Sequence, residues 1–214
     1  MTPRRTRVKI CGLTRLEDAR CAWQAGADLL GFIFVAASPR CLQPAQAAEI
    51  TSALRQEGCD CRLVGVFAGH STEVVRRTMD ACGLQLAQLH GGESPDYAHV
   101  LDRPHIVAQR VRGAVPWETL DRYDAWGYLL DSYDPQRLGG SGKRWDWDAV
   151  ERQALHKRRV LIAGGINPGN VARAVRQLTP WGIDTSSGVE ARPGIKDHDQ
   201  IRALIARVRE AEQA

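Results

Sequence analysis

The sequence predicts a single closed (β/α)8 barrel, and three observations carry that reading. Eight short apolar runs recur along 214 residues, each separated from the next by a segment of helical period. Several of the runs are apolar almost throughout, as in Leu29-Leu-Gly-Phe-Ile-Phe34, Leu63-Val-Gly-Val-Phe67 and Val160-Leu-Ile-Ala163. Strands covered on both faces require this, and a half-exposed antiparallel sheet does not show it. The length suits one such barrel, and no linker or break in composition divides it. Residues 1–214 therefore read as one domain, with 1–6 a short basic N-terminal extension; an open doubly wound sheet is the competing architecture.

The candidate strands are Val8–Cys11, Asp28–Phe34, Arg62–Phe67, Leu86–His90, His105–Val111, Trp126–Asp131, Val160–Ala163 and Gly182–Thr185. Between the first two, Thr14-Arg-Leu-Glu17 has the spacing of a capping box ahead of Ala19, Ala22 and Trp23, and Gly26 ends that helix. Further helices are expected to begin at Ser94-Pro95, at Asn167-Pro168 and at Asp197-His-Asp-Gln200. The last is followed by Ile201, Leu204, Ile205 and Val208 on one apolar stripe, which belongs to the core. In a TIM barrel made of such units, chemistry lies where the strands end, at the C-terminal face. That rule singles out Cys11, Phe34, Phe67, His90, Asp131, Gly164 and Thr185.

Hydrophobic residues make up 43% of the chain and charged residues 25%, a globular balance that excludes a disordered protein. The net charge of +4 comes from arginines scattered among acids, with no long basic run and no aromatic-basic recognition module. A small anionic substrate fits this balance; nucleic acid is not expected. The six cysteines, Cys11, Cys21, Cys41, Cys59, Cys61 and Cys82, lack CxxC or zinc-type spacing, so neither a disulfide framework nor a metal site is expected. The basic start is followed by no apolar signal-type segment, and no uncharged apolar run reaches membrane length. The expected location is the reduced cytoplasm.

Lys9-Ile-Cys-Gly-Leu-Thr14 places Cys11 at the end of the first strand, where a thiol is a base, a nucleophile or a buried structural residue. Leu129-Leu-Asp131 ends the sixth strand in a carboxylate, a proton donor if its surroundings keep it protonated and otherwise a cap for the next turn. The loop that follows contains Gly139-Gly-Ser-Gly-Lys143. It is not a nucleotide-binding loop, because Arg137 stands at the required first glycine and Arg144 at the required Ser or Thr; a mobile lid suits its length and glycine content. Val160-Leu-Ile-Ala-Gly-Gly-Ile-Asn-Pro168 and Asp184-Thr-Ser-Ser-Gly-Val-Glu190 follow strands seven and eight. Together they present bare backbone N–H groups where barrels bind phosphate, through Gly164, Gly165, Ser186, Ser187 and Gly188. Arg40, in Ser38-Pro-Arg40 after the second strand, offers a fork suited to a carboxylate.

In the order and spacing of these segments, from Val8 to near Ile205, the chain resembles the phosphoribosylanthranilate isomerases of tryptophan biosynthesis. Gln88-Leu-His-Gly91 and Trp145-Asp-Trp147 add to the match. The resemblance implies an Amadori rearrangement without metal or organic cofactor. Asp131 would be the acid that opens the ribose ring and Cys11 the base that removes the C2 proton. Arg40 would hold the anthranilate carboxylate and the two glycine loops the phosphate, while His90 and Asp184 would contact the ribose or order the acid. The implied assembly is a monomer or weak homodimer. Two departures stand out: Ala68-Gly69 where the family often carries an Asn, and Ser141 where Thr is common. The related isomerase of histidine biosynthesis has a carboxylate where Cys11 stands. A silent phosphate-binding barrel serving as an interaction protein would be expected to lose Cys11 or Asp131, and both are present.

Overall fold

The computed structural model describes residues 5–111, 113–132 and 152–213; the glycine-rich loop 139–143 and Trp145-Asp-Trp147 lie outside the described residues. Eight parallel strands close into a barrel in sequence order: β1 (Arg7–Ile10), β2 (Leu29–Ile33), β3 (Arg62–Phe67), β4 (Leu86–Leu89), β5 (His105–Val111), β6 (Gly127–Ser132), β7 (Val160–Ile162) and β8 (Gly182–Thr185). Closure is made by β1 on β8, in the register Lys9 to Asp184 and Ile10 to Thr185. The expected closed barrel is thus the observed one, each strand within two residues of its predicted bounds.

Among the described residues eight helices surround it: α1 (Leu16–Gln24), α2 (Pro44–Gln56), α3 (Thr72–Ala81), α4 (Pro95–Leu101), α5 (Trp117–Leu120), α6 (Arg152–His156), α7 (Val171–Leu178) and α8 (His198–Gln213). None is long and apolar enough to cross a membrane. The outward sides of the strands and the inward stripes of the helices form one large core, in which Ile201, Leu204, Ile205 and Val208 of α8 are buried. The barrel interior holds a separate cluster, Leu29, Val64, Leu86, Ile106, Leu129, Leu161 and Ala163. Side chains alternate along a strand, so the residues two positions further on point into the same lumen, nearer its open end.

Helix starts follow local chemistry. Ser94 caps α4, accepting from the Tyr97 N–H, and Asp197 accepts from the N–H groups of Asp199 and Gln200 at the head of α8. The capping box expected at Thr14 does not form: Thr14 donates to the Gly194 carbonyl, Arg15 is the N-cap, and Glu17 pairs with Arg15 at 3.1 Å. Nor does a helix begin at Asn167. Its side chain accepts from Gly169 N–H, while Asn170 accepts from Asn167 N–H; these turn bonds delay α7 to Val171. A short antiparallel hairpin that periodicity does not announce, β9 (Glu190–Arg192) and β10 (Ile195–Lys196), follows β8 and turns at Gly194. Of the N-terminal extension, Arg5 is anchored on Asp28 at 2.7 Å and Thr6 is buried.

Asp18 joins the two ends of the outer layer. Its fully buried carboxylate accepts from Arg15 Nε and Nη2 (3.0 and 2.7 Å), from the Lys196 N–H (3.1 Å) and from His198 Nε2 (2.8 Å), tying α1 to β10 and α8. Burial works against its charge, but Arg15, the Lys196 N–H and His198 outweigh it and hold the carboxyl below the ordinary aspartate range. Asp18→Ala is expected to lower the unfolding free energy by about 3–5 kcal/mol in urea denaturation at neutral pH. Because the folded-state pKa is depressed, the difference from the parent is full above the unfolded value of about 3.9 and disappears as pH falls through the folded value. A gap that does not narrow as pH falls below about 3.9 would contradict this account.

Candidate active site

The open C-terminal end of the barrel encloses a cavity of about 570 Å³. Cys11, Gln88, His90, Arg110, Asp131 and Asp184 line its floor, and Arg40, Ser186 and Ser187 its rim. A second cavity, of about 660 Å³, lies at the opposite end among Arg7, Arg62, Arg159, Trp126 and Trp181. That end is where strands begin, and it holds Cys61, Asp28 and Asp60 but none of Cys11, Asp131 and Asp184.

Lys9 on β1 and Cys11 directly after it sit two residues apart and share the lumen side. Lys9 is fully buried and donates to Asp184 Oδ1 on β8 at 2.7 Å. Burial opposes its charge, yet Asp184 and then Cys11 outweigh the burial and raise its pKa above that of ordinary lysine. Cys11 is 5% exposed. Burial pushes its thiol up, against the lowering by Lys9 and more distantly by Lys196, with Asp184 adding to the rise. Gly31 makes room for it: a Cβ there would lie 2.8 Å from the sulfur.

Asp131 is buried at the end of β6, with Oδ2 3.9 Å from His90 Nε2. Burial, then Arg110, depress the His90 pKa to about 4, so the ring is neutral near pH 7. Gln88 Nε2 lies 3.1 Å from His90 Nδ1; with the Gln88 amide donating, the ring proton sits on Nε2 and faces Asp131. The amide oxygen of Gln88 is buried with no partner among the described residues, as is the Ser186 hydroxyl.

Arg40 reaches the rim, but its fork is already engaged. Nε and Nη2 donate to the two carboxylate oxygens of Glu190, at 2.8 and 2.6 Å, and Lys196 donates to the same carboxylate at 2.9 Å. The Arg40 chain crosses Gly12, where a Cβ would meet its Cδ at 2.6 Å. Gly164 and Gly165 both take positive φ, 85° and 69°. Gly188 packs on the preceding loop so closely that a Cβ would stand 1.9 Å from the Ile166 carbonyl oxygen. The Thr185 hydroxyl donates to that same oxygen at 2.6 Å, locking the loops after β7 and β8 together. Ser186 and Ser187 line the cavity; Gly164, Gly165 and Gly188 are not among its lining residues and lie in the loops after β7 and β8. In the third loop, Glu93 accepts from Gly69 and Gly91 N–H at 2.8 and 2.9 Å, and so supplies the order that the departure at Ala68-Gly69 left open.

The structure thus brings Cys11, Arg40, His90, Asp131, Asp184, Ser186 and Ser187 to one cavity. Sequence reasoning missed Lys9, Gln88, Arg110, Glu190 and Lys196 as members of its charge network. The signal for two of them was present: Lys9 and Gln88 are polar residues inside otherwise apolar strands, two positions before Cys11 and His90.

A carboxyl group and a thiol held in one sheltered lumen, beside paired loops suited to an anion, define the class: barrel enzymes that shift protons on phosphorylated substrates. The comparisons give the family within that class. The family model described as N-(5'-phosphoribosyl)anthranilate (PRA) isomerase matches residues 8–207. The N-(5'-phosphoribosyl)anthranilate isomerase of Citrifermentans bemidjiense is 47% identical over 201 residues, 94% of this chain and 96% of that protein. The phosphoribosyl anthranilate isomerase structure from Thermus thermophilus superposes with a TM-score of 0.86 at 40% identity, covering 96% and 99% of the two chains. Two further structures match at 32% identity and TM-score 0.79 with the same coverage. One is an isomerase in complex with reduced 1-(o-carboxyphenylamino)-1-deoxyribulose 5-phosphate; the other comprises monomers generated from the dimeric Thermotoga maritima enzyme. The chain belongs to the N-(5'-phosphoribosyl)anthranilate isomerase family and is an isomerase of tryptophan biosynthesis.

Gly31→Ala tests how closely the thiol must be held. The added methyl displaces the Cys11 sulfur, and a displacement of this order is expected to lower turnover up to about 10²-fold while thermal unfolding shows an intact fold. Unchanged turnover in the folded variant would mean that the sulfur position is not demanding.

Proposed function

We propose that this chain opens and rearranges N-(5-phosphoribosyl)anthranilate with Asp131 as general acid and Cys11 as general base. The observation that carries this reading is the placement of the two groups at the ends of β6 and β1, around one cavity. Asp131 gives a proton to the ribose ring oxygen; the C1–O bond breaks and the anthranilate nitrogen forms a Schiff base with C1. Cys11, as thiolate, takes the proton from C2, and the electron pair moves to give the enolamine. Proton return at C1 and loss of the enol proton yield 1-(2-carboxyphenylamino)-1-deoxyribulose 5-phosphate. Every proton removed is returned, so the conversion is an isomerisation and consumes no oxidant or reductant.

Binding follows from the cavity's ends. The phosphate is proposed to meet backbone donors of Gly164, Gly165, Ser187 and Gly188 together with the unpartnered Ser186 hydroxyl. The anthranilate ring would lie against Ile33, Val35, Val66 and Pro39, which share the cavity with Arg40. Since Glu190 holds one side of the guanidinium, the substrate carboxylate would take the end bearing Nη1. His90 is assigned to ordering Asp131, and Asp184 and the free Gln88 oxygen to the ribose hydroxyls. The six cysteines are unpaired, which supports a reducing cytoplasm, and the barrel is proposed to act as a monomer or weak homodimer.

The fluorescence of the anthranilate group should decay when purified protein meets the substrate. Cys11→Ser and Asp131→Asn should each lose about 10²–10⁴-fold in turnover while still binding a product analogue. Near-normal turnover of Cys11→Ser across roughly pH 6 to 9 would return the thiol to a structural role. Because burial lifts the thiol in the free enzyme, kcat/KM should rise about tenfold per pH unit through neutrality and level off only above about 8.5. A limb complete by pH 7 would contradict this assignment, and His90, depressed to about 4, cannot supply the rise. Gly188→Ala should raise KM far more than it lowers kcat; unaltered affinity for a phosphorylated product analogue would remove the loops from phosphate binding.

A further inference from the structure

Cys11 has a difficulty that its own position creates. A cysteine only 5% exposed, in a lumen floored by Leu29, Leu129 and Leu161, is a poor place for a negative charge. One buried group stands next to it on the same side of the same strand. Lys9 is fully enclosed, its ammonium is fixed by Asp184 at 2.7 Å, and its charge favours ionisation of the Cys11 thiol. An ammonium carries three N–H donors, and the single hydrogen bond to Asp184 leaves two of them. A lysine in a barrel interior is expensive unless paired, and the Lys9–Asp184 pair occupies a level that an aliphatic side chain would otherwise fill.

We propose that Lys9 is a positioning residue for the Cys11 thiolate: its buried ammonium, anchored by Asp184, is the charge against which the sulfur sheds its proton. Its place in the reaction rests on Cys11 being the base, but the coupling itself is a property of the empty enzyme. Other charged or titratable groups face the sulfur from each neighbouring element. Asp184 on β8 opposes ionisation, and Lys196 on β10 and Arg40 after β2 favour it from farther off. His90 directly after β4, Arg110 on β5 and Asp131 on β6 line the same cavity. Lys9 is the nearest cation in sequence and shares the Cys11 side of β1. The pair therefore has two members of opposite effect, Lys9 promoting the thiolate and Asp184 both restraining it and holding Lys9 in place.

This opposition separates an electrostatic role from a structural one. The experiment follows iodoacetamide alkylation of Cys11 in the full-length, ligand-free protein, read on the Cys11 peptide by mass spectrometry from pH 6 to 10. The thiolate displaces iodide to form the thioether, so the rate tracks the ionised fraction. Relative to the parent, Lys9→Met should slow alkylation at pH 7.5 about tenfold or more, its profile moving at least about one unit upward. Asp184→Asn should accelerate it several-fold. Should Lys9→Met fail to fold because Asp184 is left alone, the double variant Lys9→Met/Asp184→Asn removes both charges together. It should alkylate at least about tenfold more slowly than Asp184→Asn.

Parallel kcat/KM profiles should move in the same directions. Equal slowing by both single substitutions, or equal rates in the double variant and Asp184→Asn, would overturn the proposal. Turnover of Cys11→Ser tests the base assignment separately. Retained turnover there would sink that reading and leave the alkylation result to judge the Lys9–Cys11 coupling alone.

Discussion

The Lys9–Asp184 ion pair spans the seam at which the first strand meets the last, and the site depends on it. The two residues are paired in register across β1 and β8, so the contact exists only once the barrel is closed. Neither group is tolerable alone at that depth: an unpaired buried charge typically costs several kcal/mol. The seam is thereby specified by charge as well as by hydrogen bonding. In the proposed reaction it also carries the chemistry, because Cys11 follows Lys9 in the chain and the loop after Asp184 supplies Ser186 and Ser187. Folding and function meet at the same register.

Around that seam the lumen is divided by height. The lower layer, contributed by Leu29, Val64, Leu86, Ile106, Leu129 and Leu161, is a dry plug that fixes strand tilt and spacing. Two residues further along several of the same strands come Gly31, Gln88 and Asp131, and the period of two puts them directly above the plug. Small and polar residues replace branched ones at that level, which opens the cavity without loosening the barrel. Gly31 shows how local the trade is, since one methyl group at that position would collide with Cys11.

The strands, their order and the two strand-end groups were legible in the sequence because each depends on a few adjacent residues: an apolar run, a glycine turn, a Cys or Asp at the boundary. Contacts that bind distant segments were not. Arg40 looked available for substrate, yet Glu190, 150 residues later, holds its fork. Thr14 and Glu17 had the spacing of a capping box, but the Gly194 carbonyl draws Thr14 away and Arg15 pairs with Glu17. The start of α7 slipped by three residues because two asparagines formed turn bonds first. In each case local preference was overruled by a partner that periodicity does not reveal, whereas Lys9 and Gln88 were visible as polar residues out of place in apolar strands.

The Arg40–Glu190–Lys196 cluster explains why an exposed loop should be so firmly placed. Burial works against the Glu190 carboxylate, but Arg40 and Lys196 outweigh it and keep it charged; burial in turn depresses Lys196, with Glu190 opposing. Lys196 also donates to the Ser186 carbonyl at 3.0 Å, so the hairpin β9–β10 braces the loop after β8 and the loop after β2 at once. A guanidinium held along one edge by Glu190 would lose little freedom on meeting the proposed substrate carboxylate, which would lower the entropic cost of recognition. Gly12 and Gly188 serve the same end by letting Arg40 and the Ile166 carbonyl approach backbone directly. The hairpin after the last strand therefore joins the loops after β2 and β8 into one preformed rim, to which the Thr185 hydroxyl ties the loop after β7.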